Sequence, residues 1–253
     1  SLDDERIQEI EVPLYNSNGD LINYLSQWPD YQLPEGHCVV NKTVCGCGYT
    51  QYCLTNPMNV ILISPRKTLI ENKAEQNPNC FYFKPIELTR AEKKRLIQDI
   101  VDPDLIDSLV REECYRRQYE LLSRYINNEK IPYKKILVTN DSFPKLAKSL
   151  LMIYQRDALL TMFKIIVDEF QLIFNDSRFK ASTELDLLSY LQDFDSVTYV
   201  SATPILGKYL LQIPELPGLP YQKLNWGARA IRPKIEKIKC SNISQYALEE
   251  IKM

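Results

Sequence analysis

The stretch KIIVDEFQ, residues 164–171, decides how this chain is read. The apolar run Ile165 to Val167 ends in two adjacent carboxylates, Asp168 and Glu169. A strand that is apolar on both faces belongs inside a parallel sheet, and its carboxyl end is where such a sheet opens onto a site. Carboxylates placed there need a cation or hydrogen-bond donors to offset the loss of water. Similar runs flank it: HCVVNK at 37–42, NVILISP at 59–65, CFYFKP at 80–85, KKILVTN at 134–140 and SVTYVSAT at 196–203. Helical patterns separate them. The expected class is therefore α/β, three layers with a mainly parallel sheet covered by helices.

The 253 residues, 45% of them hydrophobic, can bury a full core, and residues 1–253 read as a single domain. Between about 86 and 130 the chain becomes charged with apolar residues at helical spacing, which predicts a helical insertion. Pro103 breaks that pattern. The basic residues there, such as Arg116 and Arg117, alternate with acids, so a solvated helix face is expected; gathered on one face they would instead track a phosphate backbone, with Tyr115 and Tyr119 stacking on bases. The proline-rich stretch from 204 onward, to 253, reads as an exit strand and linker. With 31 basic against 33 acidic residues there is no global attraction to nucleic acid, so any contact with it must be local. The opening SLDDERIQEIEV is acidic, and no apolar run approaches the roughly eighteen residues of a membrane span. An intracellular protein without a membrane partner is the expectation. Seven cysteines, an odd number in a chain this long, suit reduced thiols.

A second constellation, KTVCGCGYT at 42–50, follows a strand pattern and precedes a short helical one. Gly46 and Gly48 would let backbone N–H groups, including those at Cys47 and Tyr49, close around a polyphosphate, and Thr50 would offer a hydroxyl to Mg²⁺. The usual G-x-G-K-T ending is here G-C-G-Y-T, with Tyr49 where a lysine should reach the phosphates. Losing that lysine removes a charge-assisted hydrogen bond of about 1.5–3 kcal/mol. Lys42 lies close enough in sequence to supply the ammonium instead, or to sit at the strand end in solvent. In the third constellation, SVTYVSATPI, Ser201 and Thr203 end a strand beside the carboxylates.

Together and in this order, the three resemble motifs I, II and III of the superfamily 2 helicases. DEFQ followed by SAT is the specific part, over roughly 37–210, and the likeness is nearest to the helicase-like domains of viral origin-of-replication-binding proteins and relatives in mobile elements. The resemblance implies a RecA-like P-loop NTPase domain that binds ATP and Mg²⁺ and acts on DNA. It implies that Asp168 holds Mg²⁺ with Thr50, that Glu169 activates water, that the loop Gly46, Cys47, Gly48 and Tyr49 surrounds the nucleotide, and that Ser201, Thr203 and Gln171 couple nucleotide state to movement; Lys42 beside the loop is the candidate to join it. Pro65 and Arg66 in ISPRKTLIENK, and Thr139 and Asn140 in LVTNDSFPKL, would contact nucleic acid. No second RecA-like domain with an arginine finger is read before Met253, so residues 1–253 alone are expected to hydrolyse almost nothing. The alternative is a degenerate domain that binds nucleic acid or protein without hydrolysis.

Overall fold

Eight strands form one sheet in the computed structural model, which describes residues 7–98, 100, 102–172, 187–203 and 218–227. In chain order they are β1 (Ile7–Glu11), β2 (His37–Asn41), β3 (Val60–Ser64), β4 (Phe81–Tyr82), β5 (Lys135–Thr139), β6 (Lys164–Asp168), β7 (Val197–Ser201) and β8 (Tyr221–Asn225). Their order across the sheet is β1-β8-β2-β7-β6-β3-β5-β4, and every pairing is parallel. The helices are α1 (Tyr49–Thr55), α2 (Lys67–Gln76), α3 (Arg90–Leu96), α4 (Pro103–Ile126), α5 (Phe143–Leu151) and α6 (Arg156–Met162). This is the α/β, three-layer arrangement expected from the sequence.

The central strands are buried on both faces because their apolar side chains divide by parity. Ile61, Ile63, Ile136, Val138, Ile165 and Val167 enter one core with Leu122, Phe143, Leu146 and Leu150. Val60, Leu62, Leu137, Ile166, Val40 and Val200 enter the other with Tyr49, Cys53, Ile70 and Trp226. Each fully buried aliphatic side chain contributes about 1.5–3 kcal/mol relative to exposure, so both layers are strongly held. The site lies where this packing ends: β7 separates β2 from β6, with Asn41 in register with Ser201 and Asp168 with Val200.

The helical insertion is α3 and α4. Thr89 and Glu92 cap α3 reciprocally, and Asp102 caps α4 with Pro103 at the first turn, so that proline starts a helix rather than breaking one. Leu122 and Ile126 anchor α4 in the core. Arg116 and Arg117 pair with Glu113, Glu120 and Glu92, in keeping with a solvated face. The tail supplies a strand at 221–225, where β8 enters the sheet between β1 and β2; most of the remaining stretch lies outside the described residues. Among the described residues no helix is long and apolar enough to cross a membrane.

Candidate functional site

At the carboxyl end of β2 the backbone of Lys42 still follows the sheet, its N–H donating to the Ser201 carbonyl at 2.8 Å. The chain then turns on a single residue. Val44 N–H donates back to the Lys42 carbonyl at 2.6 Å around Thr43, whose φ is 55°, a left-handed value that β-branched residues rarely adopt. Gly46 and Gly48 continue the loop at φ 73° and 79°. Glycine is required at 48 on a second count, because a Cβ there would meet the Tyr24 Cβ at 3.0 Å. Leu25 N–H holds the Cys47 carbonyl at 2.8 Å, which fixes the loop against the N-terminal segment.

The Lys42 side chain turns inward to the carboxylates at the carboxyl end of β6, with Asp168 its last residue and Glu169 the next. Its Nζ lies 2.9 Å from Asp168 Oδ1 and 3.4 Å from Glu169 Oε1. Thr50 Oγ1 donates to the other Asp168 oxygen, Oδ2, at 3.0 Å, and Gln171 Nε2 donates to Glu169 Oε2 at 2.6 Å. Lys42 and Asp168 are buried. Burial alone would lower the lysine pKa, but the charge and hydrogen bond of Asp168, joined by Glu169, reverse this and hold it above the ordinary value. Glu169 has φ 54°, a conformation that stores about 1–3 kcal/mol and persists only where surroundings impose it. A cleft of about 250 Å³ opens over these groups, lined by Lys42, the loop from Cys45 to Gln51, Leu69, Lys73, Asp168 and Glu169.

Hard oxygens from Thr50 and Asp168 suit Mg²⁺, which takes one or two protein ligands and leaves the rest to phosphate and water. No group of three or more His, Cys, Asp or Glu side chains placed for a metal occurs among the described residues, and Mg²⁺ bound in this manner does not need one. A divalent cation at Asp168 would compete with Lys42 for the same oxygens, releasing the ammonium toward an anion in the cleft.

Tyr49 contributes backbone to the cleft but not its side chain. The ring is 2% exposed, packs edge-on to Tyr31 with centroids 6.1 Å apart, and has its hydroxyl 3.5 Å from that of Tyr31. Burial pushes its phenol well above the usual range. Position 49 therefore faces the core, and the ammonium beside the carboxylates is that of Lys42. The Cys47 side chain is also in the core, with its thiol raised by burial, whereas Cys45 is exposed at the loop. Ser201 and Thr203 bond to each other, their hydroxyl oxygens 3.0 Å apart, rather than to the carboxylates.

Pro65 and Arg66 follow β3, and Thr139 and Asn140 stand at the end of β5, neighbouring strands in which Ser64 is in register with Thr139. They share the sheet's carboxyl edge but do not line the cleft. Asn140 Oδ1 is buried there without a hydrogen-bond partner. Leu69 and Lys73 were not anticipated as site residues; their i, i+4 spacing puts both on one face of α2, a signal that gains meaning once that face is known to meet the loop. A scan against protein-family models finds no match for this chain, and a search of characterised proteins finds none either.

Proposed function

We propose that this domain is the nucleotide-binding, RecA-like half of a DNA-dependent, helicase-like motor, and that the cleft takes Mg²⁺–ATP. The observation that carries the reading is the convergence of Lys42, Thr50, Asp168 and Glu169 beneath a two-glycine loop. Thr50 and Asp168 would hold Mg²⁺, loop N–H groups and Lys42 would hold phosphate oxygens, and Glu169, oriented by Gln171, would align or deprotonate water. Bound Mg²⁺ would neutralise charge developing on the phosphates. Pro65, Arg66, Thr139 and Asn140 would meet DNA along the carboxyl edge, and Ser201 and Thr203 would relay the state of the carboxylates.

Two lysines, Lys42 and Lys73, are little positive charge for phosphoryl transfer, since an arginine finger from a second RecA-like domain contributes about 10³–10⁵ in rate. Hydrolysis by residues 1–253 alone is therefore expected near background even with DNA present. The deciding experiment titrates a fluorescent ATP analogue with and without Mg²⁺. Saturable binding that tightens with Mg²⁺ and is competed by ATP supports the proposal; no binding at millimolar analogue in either condition removes it.

A further inference from the structure

The backbone under Lys42 is held from a distant part of the chain. Trp226, 184 residues downstream and directly after β8, donates its indole Nε1–H to the Lys42 carbonyl at 3.2 Å. The Thr43 hydroxyl donates to the Leu224 carbonyl of β8 at 2.7 Å, and Thr43 N–H to Asn41 Oδ1 at 2.9 Å. These bonds surround the one-residue turn at Thr43, where φ is 55°. A strained β-branched residue relaxes unless its neighbours over-determine it, and relaxation would rotate the peptide that carries the Lys42 side chain. Trp226 is 3% exposed, and its ring packs in the same core as Tyr49 and Val40. Such burial fixes the direction of its N–H.

We infer that Trp226 is a positioning residue for Lys42: together with Thr43 it locks the turn that aims the ammonium at Asp168 and Glu169. The lysine's aim then depends on the seating of β8 between β1 and β2. This inference rests on the proposed Mg²⁺–ATP site only for its consequence in binding, since the orientation of Lys42 can be measured without nucleotide.

Two variants test it. Trp226→Phe keeps a buried ring and removes the N–H donor; Thr43→Val removes the hydroxyl and keeps a β-branched residue at the strained φ. Both are first checked for a native circular-dichroism melt. The ammonium resonance of Lys42, assigned by ¹H–¹⁵N NMR, reports the ion pair directly. In the wild type it should be protected from exchange with water, and in both variants it should broaden or move toward the free-lysine position. Mg²⁺–ATP affinity should fall about two- to tenfold in Trp226→Phe, the worth of one hydrogen bond. In a Lys42→Ala background the same change should have no further effect, because the tryptophan acts through the lysine. A wild-type-like Lys42 signal in Trp226→Phe overturns the inference, as does an equal loss of affinity in the Lys42→Ala background. If the wild type binds no Mg²⁺–ATP, the functional proposal fails by itself, and the ammonium signal still decides the role of Trp226.

Discussion

Lys42 and Lys135 stand at opposite ends of α1, one at the base of the loop that leads into the helix and the other under its last turn, and both are withdrawn from water. Lys42 meets two carboxylates. Lys135 meets only dipoles, donating to the Cys53 carbonyl at 2.9 Å and to Asn56 Oδ1 at 2.7 Å, and no ion pair to it occurs among the described residues. The first lysine has its pKa raised; the second is lowered by burial to about 8. Burial of a lysine is thus not by itself the mark of a site. Lys135 closes the carbonyl end of α1 and has a structural task, whereas Lys42 holds together carboxylates that a metal and a phosphate would take over.

A third lysine, at position 49, would sharpen the contrast most. Tyr49→Lys restores the expected loop sequence, yet it points an ammonium at Tyr31 and Cys53 with neither carboxylates nor helix-end carbonyls arranged for it. The expected result is a loss of several kcal/mol in chemical denaturation, with no gain in nucleotide affinity. A stable variant with tighter ATP binding would break the account of which way this position faces.

Removing Lys42 comes next. Lys42→Ala leaves Asp168 and Glu169 adjacent and uncompensated, and breaking a buried pair from one side costs about 3–5 kcal/mol. Mg²⁺ should restore part of this loss in urea melts, because it can occupy the vacated carboxylate oxygens. Lys135→Met should cost less, about 1–3 kcal/mol for two orphaned acceptors, and Mg²⁺ should restore none of it.

The smallest effect is the pH response of the wild type. Lys135 titrates near 8 when folded and near 10.5 when unfolded, so between those values the unfolded chain holds more protons and the Lys135 contribution makes stability rise with pH. Lys42 has the opposite sign: its folded pKa lies above 10.5, so its contribution is complete below 10.5 and is lost as pH climbs through the folded value. Cys53, Cys80 and Tyr125 face Lys135, and burial raises all three, the last two to about 11 and about 12; the adjacent Lys134 is lowered by burial and contributes with the same sign as Lys135. Site-resolved NMR titration should find Lys42 and Lys135 displaced in opposite directions.

Six strands were legible in the sequence as apolar runs, five of them buried on both faces and the short β4, Phe81–Tyr82, half-buried. β1 and β8 were not. IQEIE exposes most of its residues at the sheet edge, and YQKLN buries only Tyr221 and Leu224, so neither shows a continuous apolar signal. The carboxylates after β6 and the two loop glycines were legible from residue type and order. The direction of Lys42 was not, since it depends on a turn at Thr43 held by Trp226 from 184 residues away. Nor was the direction of Tyr49, which is set by which face of a two-turn helix meets Tyr31. Pro103 gave a boundary signal whose sense, helix start rather than helix break, came from the Asp102 cap beside it.

The central claim is that Lys42, not the residue at position 49 and not the buried Lys135, supplies the cation of a Mg²⁺–nucleotide site. Calorimetric titration of Mg²⁺–ATP into the wild type, Lys42→Ala and Lys135→Met, each confirmed folded at the working temperature, tests it directly. The account predicts binding that weakens about ten- to a hundredfold in Lys42→Ala, the worth of one charge-assisted hydrogen bond, and stays within about twofold of wild type in Lys135→Met. Equal affinities in the wild type and Lys42→Ala would contradict it.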